Sequence, residues 1–235
     1  MENKKHITAI VLAGGSGTRM GAVQKKQYLL IGGRPILYYS LQTFEESSVD
    51  DIILVSGEVE FCQREIIEKY KLKKVVRIVP PGDERYHSVY HGLVAASEAD
   101  YVLIHDGARP FLTNDIIERS ISAVIQYDAC AVGMPVKDTI KISDEDGFIK
   151  STPVRNRVWS IQTPQSFSYA KICAAYDNMM EVNADNITDD AMVMESFGGT
   201  KVKLIEGSYQ NIKITTPEDM EIAQIWLRCQ NSQPN

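Results

Sequence analysis

The sequence predicts an α/β fold: a doubly wound, mostly parallel sheet covered by helices on both faces, with a protruding β-hairpin arm. Two patterns carry that prediction. Short, almost purely apolar runs recur along the chain, as strands buried on both faces require. Amphipathic stretches at helical spacing lie between them, and such alternation with short connections closes into a parallel sheet. The arm follows from a third observation. The alternation breaks after about residue 134, and the next turn signal is Asp146-Gly147, a hairpin dipeptide.

The first strand is Ile7 to Ala13 (ITAIVLA), which runs straight into Gly14-Gly15-Ser16-Gly17. Further strands are the runs Ile52–Val55, Val75–Val79, Tyr101–Ile104 and Cys130–Val132. Leu37, Leu41 and Phe44 are spaced i, i+4, i+7, with Pro35 placed to open the helix. Val89, Leu93 and Ala96 repeat that spacing, as do Ile117, Ile121 and Val124. Lys137 to Lys150 reads as two short polar strands around Asp144-Glu145-Asp146-Gly147. Its few apolar residues (Ile140, Ile142, Phe148, Ile149) cannot support an isolated hairpin, so it is expected to lie against something else, such as a second subunit. Thr216-Pro217-Glu218-Asp219 opens a last helix, with a Thr cap, Pro at the first position and acids in the first turn. Its apolar residues are Met220, Ile222, Ala223 and Ile225–Leu227. The expected organisation is one Rossmann-like domain over 1–230, an arm over 137–157 and a frayed tail over 231–235.

Composition removes several function classes. The 235 residues hold 25 Lys and Arg against 31 Asp and Glu, a net charge of −6. Nucleic-acid binding needs a basic face and is not expected. No apolar run approaches the ~20 residues of a membrane span, and the short charged start, Met1 to His6, does not read as a signal peptide. Cys62, Cys130, Cys173 and Cys229 are widely spaced and form no CxxC, which suits reduced core thiols in a cytoplasmic protein. An anionic small ligand remains open, provided that cations gather locally.

Leu12-Ala13-Gly14-Gly15-Ser16-Gly17-Thr18-Arg19-Met20 is where they gather. A glycine loop after a strand lets backbone N–H groups approach an anion, and the following helix adds its N-terminal dipole. Neither familiar version fits: GxxxxGK[ST] fails at Arg19 and Met20, and GxGxxG fails at Met20, which disfavours a dinucleotide-dependent dehydrogenase. Arg19 follows the loop at once, and Lys25-Lys26-Gln27-Tyr28 stands a few residues on. This segment resembles the signature of nucleotidyltransferases that make nucleoside-diphosphate sugars and alcohols. More closely, it resembles the 2-C-methyl-D-erythritol 4-phosphate cytidylyltransferase family. Further matches follow in family order: Gly82-Asp83-Glu84-Arg85 with Ser88, His105-Asp106-x-Ala108-Arg109-Pro110, Arg155 with Trp159, Thr163-Pro164-Gln165-x-Phe167, Thr188-Asp189-Asp190-Ala191, and Asn211-Ile212-Lys213-Ile214-Thr215. The chain departs from the family at Lys25, usually proline, at Gly107, often Ala or Ser, and at Pro81, often glycine.

The resemblance implies a reaction joining CTP to a polyol phosphate with release of pyrophosphate. Both reactants are anions, so fixed cations must offset their repulsion. The attacking group is an ionised phosphate and needs no general base. Carried over by motif, Arg19, Lys26 and Lys213 hold the triphosphate and stabilise charge at the α-phosphate. Ala13, Gly14, Gly15 and Gly17 supply loop amides, and Gly82, Asp83 and Ser88 read the cytosine; Arg85 either braces that segment or contacts ligand. Asp106, a carboxylate beside a triphosphate, is the expected Mg²⁺ ligand. His105 reads as a packed neutral histidine. Arg109, Thr139, Arg155, Thr163 and Thr188 match positions that bind the polyol phosphate. In the family the arm carrying Thr139 and Arg155 completes the site of a partner subunit, so a homodimer with shared sites is implied. A ribitol 5-phosphate cytidylyltransferase is the nearest alternative, and a non-catalytic nucleotide-binding module is the alternative from another class.

Overall fold

The structure, a computed structural model, describes residues 4–15, 25–182 and 186–231. Strands and helices alternate as expected. In chain order the strands are β1 (Ile7–Leu12), β2 (Leu30–Ile31), β3 (Arg34–Pro35), β4 (Asp51–Val55), β5 (Val75–Val79), β6 (Tyr101–Asp106), β7 (Ala129–Pro135), β8 (Ile142–Ser143), β9 (Ile149–Ser151), β10 (Trp159–Ser168) and β11 (Lys203–Glu206). The helices are α1 (Ile36–Glu46), α2 (Val59–Phe61, continued by a π-turn segment to Glu68), α3 (Arg85–Ala95), α4 (Asn114–Tyr127), α5 (Tyr169–Glu181), α6 (Asp190–Val193) and α7 (Pro217–Asn231).

Seven strands form the central sheet in the order β11-β7-β10-β6-β1-β4-β5. β1 runs parallel to β4 and β6, β4 to β5, and β7 to β11. Among the described residues of this sheet only β10 runs antiparallel, between β6 and β7. Side chains alternate across β1: Ala9 and Val11 join the core with Leu37, Leu41 and Phe44 of α1 and Ile117 and Ile121 of α4. Ile10 joins the opposite core with Val89 and Leu93 of α3 and Ile172 and Tyr176 of α5. Burial on both faces is why these strands read as continuous apolar runs.

β10 was not legible as a strand. Pro164 within it cannot donate to a ladder, and the pairing with β7 shifts between Ile161 and Gln165, around the cis Thr163–Pro164 bond. In α7 the expected apolar set is corrected. Ala223 is buried, and Met220, Trp226 and Leu227 pack with it, whereas Ile222 and Ile225 face outward, because the contacting positions repeat every three to four residues. The expected Thr cap is present: Thr216 Oγ1 accepts from Asp219 N at 3.4 Å, and Asp219 Oδ2 accepts in return from the amides of Thr215 and Thr216 at 2.8 and 2.9 Å.

The arm is β8 paired antiparallel with β9, shorter than the two strands expected over 137–150. Asp144 Oδ1 accepts from Phe148 N at 2.8 Å, and Gly147 takes the turn at φ +86°. Phe148 is 73 % exposed and Ile149 66 % exposed, so the arm buries no apolar face within this chain.

Candidate active site

The order in which strands join the sheet reverses about β1, with β4 and β5 on one side and β6 on the other. In open α/β sheets ligands settle at such a switch point, beyond the strands' carboxyl ends. Here β1 ends in Ala13-Gly14-Gly15, β5 leads through Pro80 and Pro81 to Gly82, and β6 ends on Asp106. A cavity of about 320 Å³ opens between them. It unites Ala13, Gly14, Gly15, Lys26, Gly82, Asp83, Arg85, Ser88, Asp106 and Lys213, all singled out in the sequence. Gly17 and Arg19 lie outside the described residues.

The loop geometry has local causes. A Cβ on Gly14 would stand 2.3 Å from Pro81 Cβ, so glycine is required where the two loops touch. Gln27, fully enclosed, donates through Nε2 to Ala13 O at 2.6 Å and Gly15 O at 3.1 Å. Those bonds hold the loop carbonyls toward Gln27. Lys25, in place of the family's proline, pairs with Glu58 at 2.9 Å. Gly82 N donates to Ser88 Oγ at 3.0 Å, which folds the 82–88 segment onto the start of α3.

Asp106 is the electrostatic centre. Lys213 Nζ lies 2.9 Å from Oδ2, Arg109 Nε 3.6 Å from Oδ2 and Arg85 Nε 3.5 Å from Oδ1. Burial pushes this carboxyl up, but Arg85, Lys213 and Arg109 outweigh it and hold it far below the usual carboxylate range. The neighbouring His105 is fully buried, and burial takes its imidazole down to about 3. It is the packed neutral histidine that was expected.

A second cavity, of about 220 Å³, shares Arg85, Asp106 and Lys213 with the first and adds Arg109, Thr163, Gln165, Thr188 and Asp189. Thr163 serves the scaffold: its Oγ1 accepts from Asp106 N at 3.1 Å and lies 3.0 Å from His105 Nδ1. Arg109 Nη1 donates to Asn211 O at 2.8 Å, which ties it to the segment bearing Lys213. Arg85 turns both terminal nitrogens to the buried Asp190, at 2.9 and 2.8 Å, and so braces rather than points freely into the cavity. Thr139 and Arg155 line neither cavity of their own chain, and Arg155 Nη1 reaches Lys137 O at 3.4 Å.

Sequence reasoning passed over Gln27, Gln165, Asp190 and Asn211. Each stands inside a segment already singled out. Their roles are hydrogen bonds to groups distant in sequence, such as Asn211 Nδ2 to Thr163 O at 2.9 Å, and no spacing announces such bonds.

The donor set also bears on a metal. Among the described residues no three His, Cys, Asp or Glu side chains are grouped to hold an ion by themselves. Asp106 lines both cavities with one carboxylate, set among Lys213, Arg85 and Arg109. That fits Mg²⁺, which typically takes one or two carboxylates and completes its shell from substrate phosphates and water.

Known proteins resemble this chain in sequence and fold. The family profile described as 2-C-methyl-D-erythritol 4-phosphate cytidylyltransferase matches residues 7–229. Proteins of that name from Lachnoclostridium phytofermentans and Lachnospira eligens are 50 % and 51 % identical to this chain, each over 94 % of it and over 96 % and 99 % of their own length. The crystal structure of 4-diphosphocytidyl-2C-methyl-D-erythritol synthase from Anaerococcus prevotii superposes with a TM-score of 0.83 at 37 % identity, covering 95 % of this chain and 96 % of that one. A profile match across nearly the whole chain and half its residues identical to such relatives leave one conclusion: the chain belongs to the 2-C-methyl-D-erythritol 4-phosphate cytidylyltransferase family.

Proposed function

We propose that the site joins CTP to the phosphate of 2-C-methyl-D-erythritol 4-phosphate, giving 4-diphosphocytidyl-2-C-methyl-D-erythritol and pyrophosphate. The observation that carries this reading is the wall common to both cavities. Lys213, Arg85 and Asp106 line each of them, and Lys213, whose ammonium is not tied to Asp190, serves two phosphates brought to one point. The nucleotide occupies the larger cavity, its base on the Gly82–Ser88 segment and its phosphates on the Gly14-Gly15 loop and Lys26. The polyol phosphate occupies the smaller, held by Arg109 and Thr188. An oxygen of its phosphate attacks the α-phosphorus in line, and pyrophosphate leaves from the far side. Lys26 and Lys213 stabilise the charge that builds on the α-phosphate, together with Arg19 of the glycine loop. The nucleophile arrives ionised, which agrees with a neutral His105 that takes no part in proton transfer. Asp106 would hold Mg²⁺, which supplies charge neutralisation across the phosphates when bound.

The exposed arm supports a homodimer with shared sites, in which Thr139 and Arg155 serve the partner's polyol phosphate. The four cysteines are free, which suits a reducing compartment, the cytoplasm. No helix among the described residues is long and apolar enough to cross a membrane.

The test is CTP-dependent pyrophosphate release with 2-C-methyl-D-erythritol 4-phosphate or D-ribitol 5-phosphate as acceptor. Higher kcat/KM with the methylerythritol compound is the expected result. Preference for ribitol 5-phosphate would reassign the substrate, and release with neither acceptor would leave a nucleotide-binding module.

A further inference from the structure

Asp190 is a carboxylate with no exposed surface, held at the start of α6 and lining neither cavity. Three donors converge on it. Arg85 Nη1 and Nη2 form a two-point pair with Oδ1 and Oδ2 at 2.9 and 2.8 Å, and Tyr176 Oη donates to Oδ1 at 2.7 Å. With both ends of its fork occupied, Arg85 has only Nε to offer Asp106, at 3.5 Å. The Asp190 segment is fixed from the other side as well. Gln165 Nε2 donates to Asp189 Oδ2 at 2.9 Å, and Gln165 Oε1 accepts from Ala191 N at 2.8 Å. Arg85 stands in the 82–88 segment that lines the larger cavity, whereas Thr188 and Asp189 line the smaller one.

We propose that Asp190 is a positioning residue of the transferase site: it occupies the fork of Arg85, so that Asp106 stays paired with Lys213, and it locks the Thr188 segment against the nucleotide cavity. The inference rests on the transferase reading above. Without the Asp190 charge, the guanidinium fork is released beside Asp106, the nearest other carboxylate, and a planar fork there competes with Lys213 for the same oxygens. The Thr188 segment at the same time loses its ionic tie to α3. The base-reading atoms of Gly82 and Ser88 are held by their own bond and are unaffected.

The experiment compares Asp190→Asn, Arg85→Gln and the double variant with the full-length chain, varying each substrate. Asp190→Asn is expected to lower kcat roughly 10–10²-fold, as for a small misplacement at a reacting centre. KM for the polyol phosphate should rise and KM for CTP stay within about twofold. Because Asp190 acts through Arg85, the double variant should match Arg85→Gln in kcat. Losses that multiply in the double variant, or an Asp190→Asn kcat equal to the parent's, overturn the proposal, as does a uniform shift of both KM values. Should Asp190→Asn fail to fold, Tyr176→Phe keeps both charges and removes one of the three bonds. It should speed proton exchange at the Arg85 Nη–H groups, followed by ¹⁵N NMR, and lower kcat about threefold in line with one lost hydrogen bond. Unchanged exchange and kcat overturn the proposal. The exchange readout also separates the two inferences: a parent chain that releases no pyrophosphate refutes the transferase reading, whereas the Arg85 signal reports the hold of Asp190 regardless of turnover.

Discussion

Replacing Lys213 with alanine isolates the shared cation that is not tied to Asp190. The backbone around it is fixed independently. Ile214 N donates to Ala108 O at 2.9 Å, and the buried Asn211 side chain bonds Thr163 O. The loss should therefore be electrostatic. The ionic side chains lining the larger cavity are Lys26, Arg85 and Lys213 against Asp83, Glu84 and Asp106, a neutral set among the described residues. Removing one cation leaves a net negative wall facing a triphosphate. A unit charge about 5 Å from the charge developing on the α-phosphate, at an effective dielectric of about 20, is worth about 3 kcal/mol. That energy corresponds to between 10² and 10³ in rate, the range seen when one transition-state donor is removed. Lys213 is 36 % exposed, so solvent screening favours the lower end, a kcat loss of roughly 10². Steady-state pyrophosphate release with both substrates saturating measures it, and Lys213→Arg should recover part of the rate. The fold should persist, since Arg85 and Arg109 still compensate Asp106. A Lys213→Ala kcat within threefold of the parent's would refute the assignment and the charge count behind it.

Three further outcomes are expected. Mixing inactive Lys26→Ala and Arg155→Ala chains should restore activity, because each hybrid dimer would keep one complete shared site; no recovery after proven subunit exchange would place Arg155 outside the site. Excess EDTA should abolish turnover and added Mg²⁺ restore it, and undiminished activity in EDTA would remove the metal from the scheme. Acid should destabilise the fold through His105. Its imidazole titrates at about 3 when folded and near 6.5 when unfolded, so below pH 6.5 the unfolded chain binds one more proton. Stability should then fall by up to about 1.4 kcal/mol per pH unit between pH 6 and 4. Urea unfolding of His105→Asn across that window should show a shallower slope, and parallel slopes would contradict the buried neutral histidine.

The sequence by itself determined the alternation of elements, because strands buried on both faces leave uninterrupted apolar runs and surface helices leave an apolar stripe. It also exposed the residues that carry charge at the site. Lys26, Asp106, Arg109 and Lys213 stand at strand or loop ends, where a charge is conspicuous against apolar neighbours. Even so, β10 escaped, because Pro164 interrupts it and a bulge accommodates the interruption. The tertiary structure alone decided which charges meet. Arg85 is bound to a carboxylate 105 residues away, Thr163 Oγ1 accepts from the backbone N–H of Asp106, and Gln27 restrains the glycine loop through carbonyls. A periodic pattern reports burial, which repeats along the chain. A hydrogen bond or ion pair between distant segments depends on the register and crossing of elements, which no local pattern encodes.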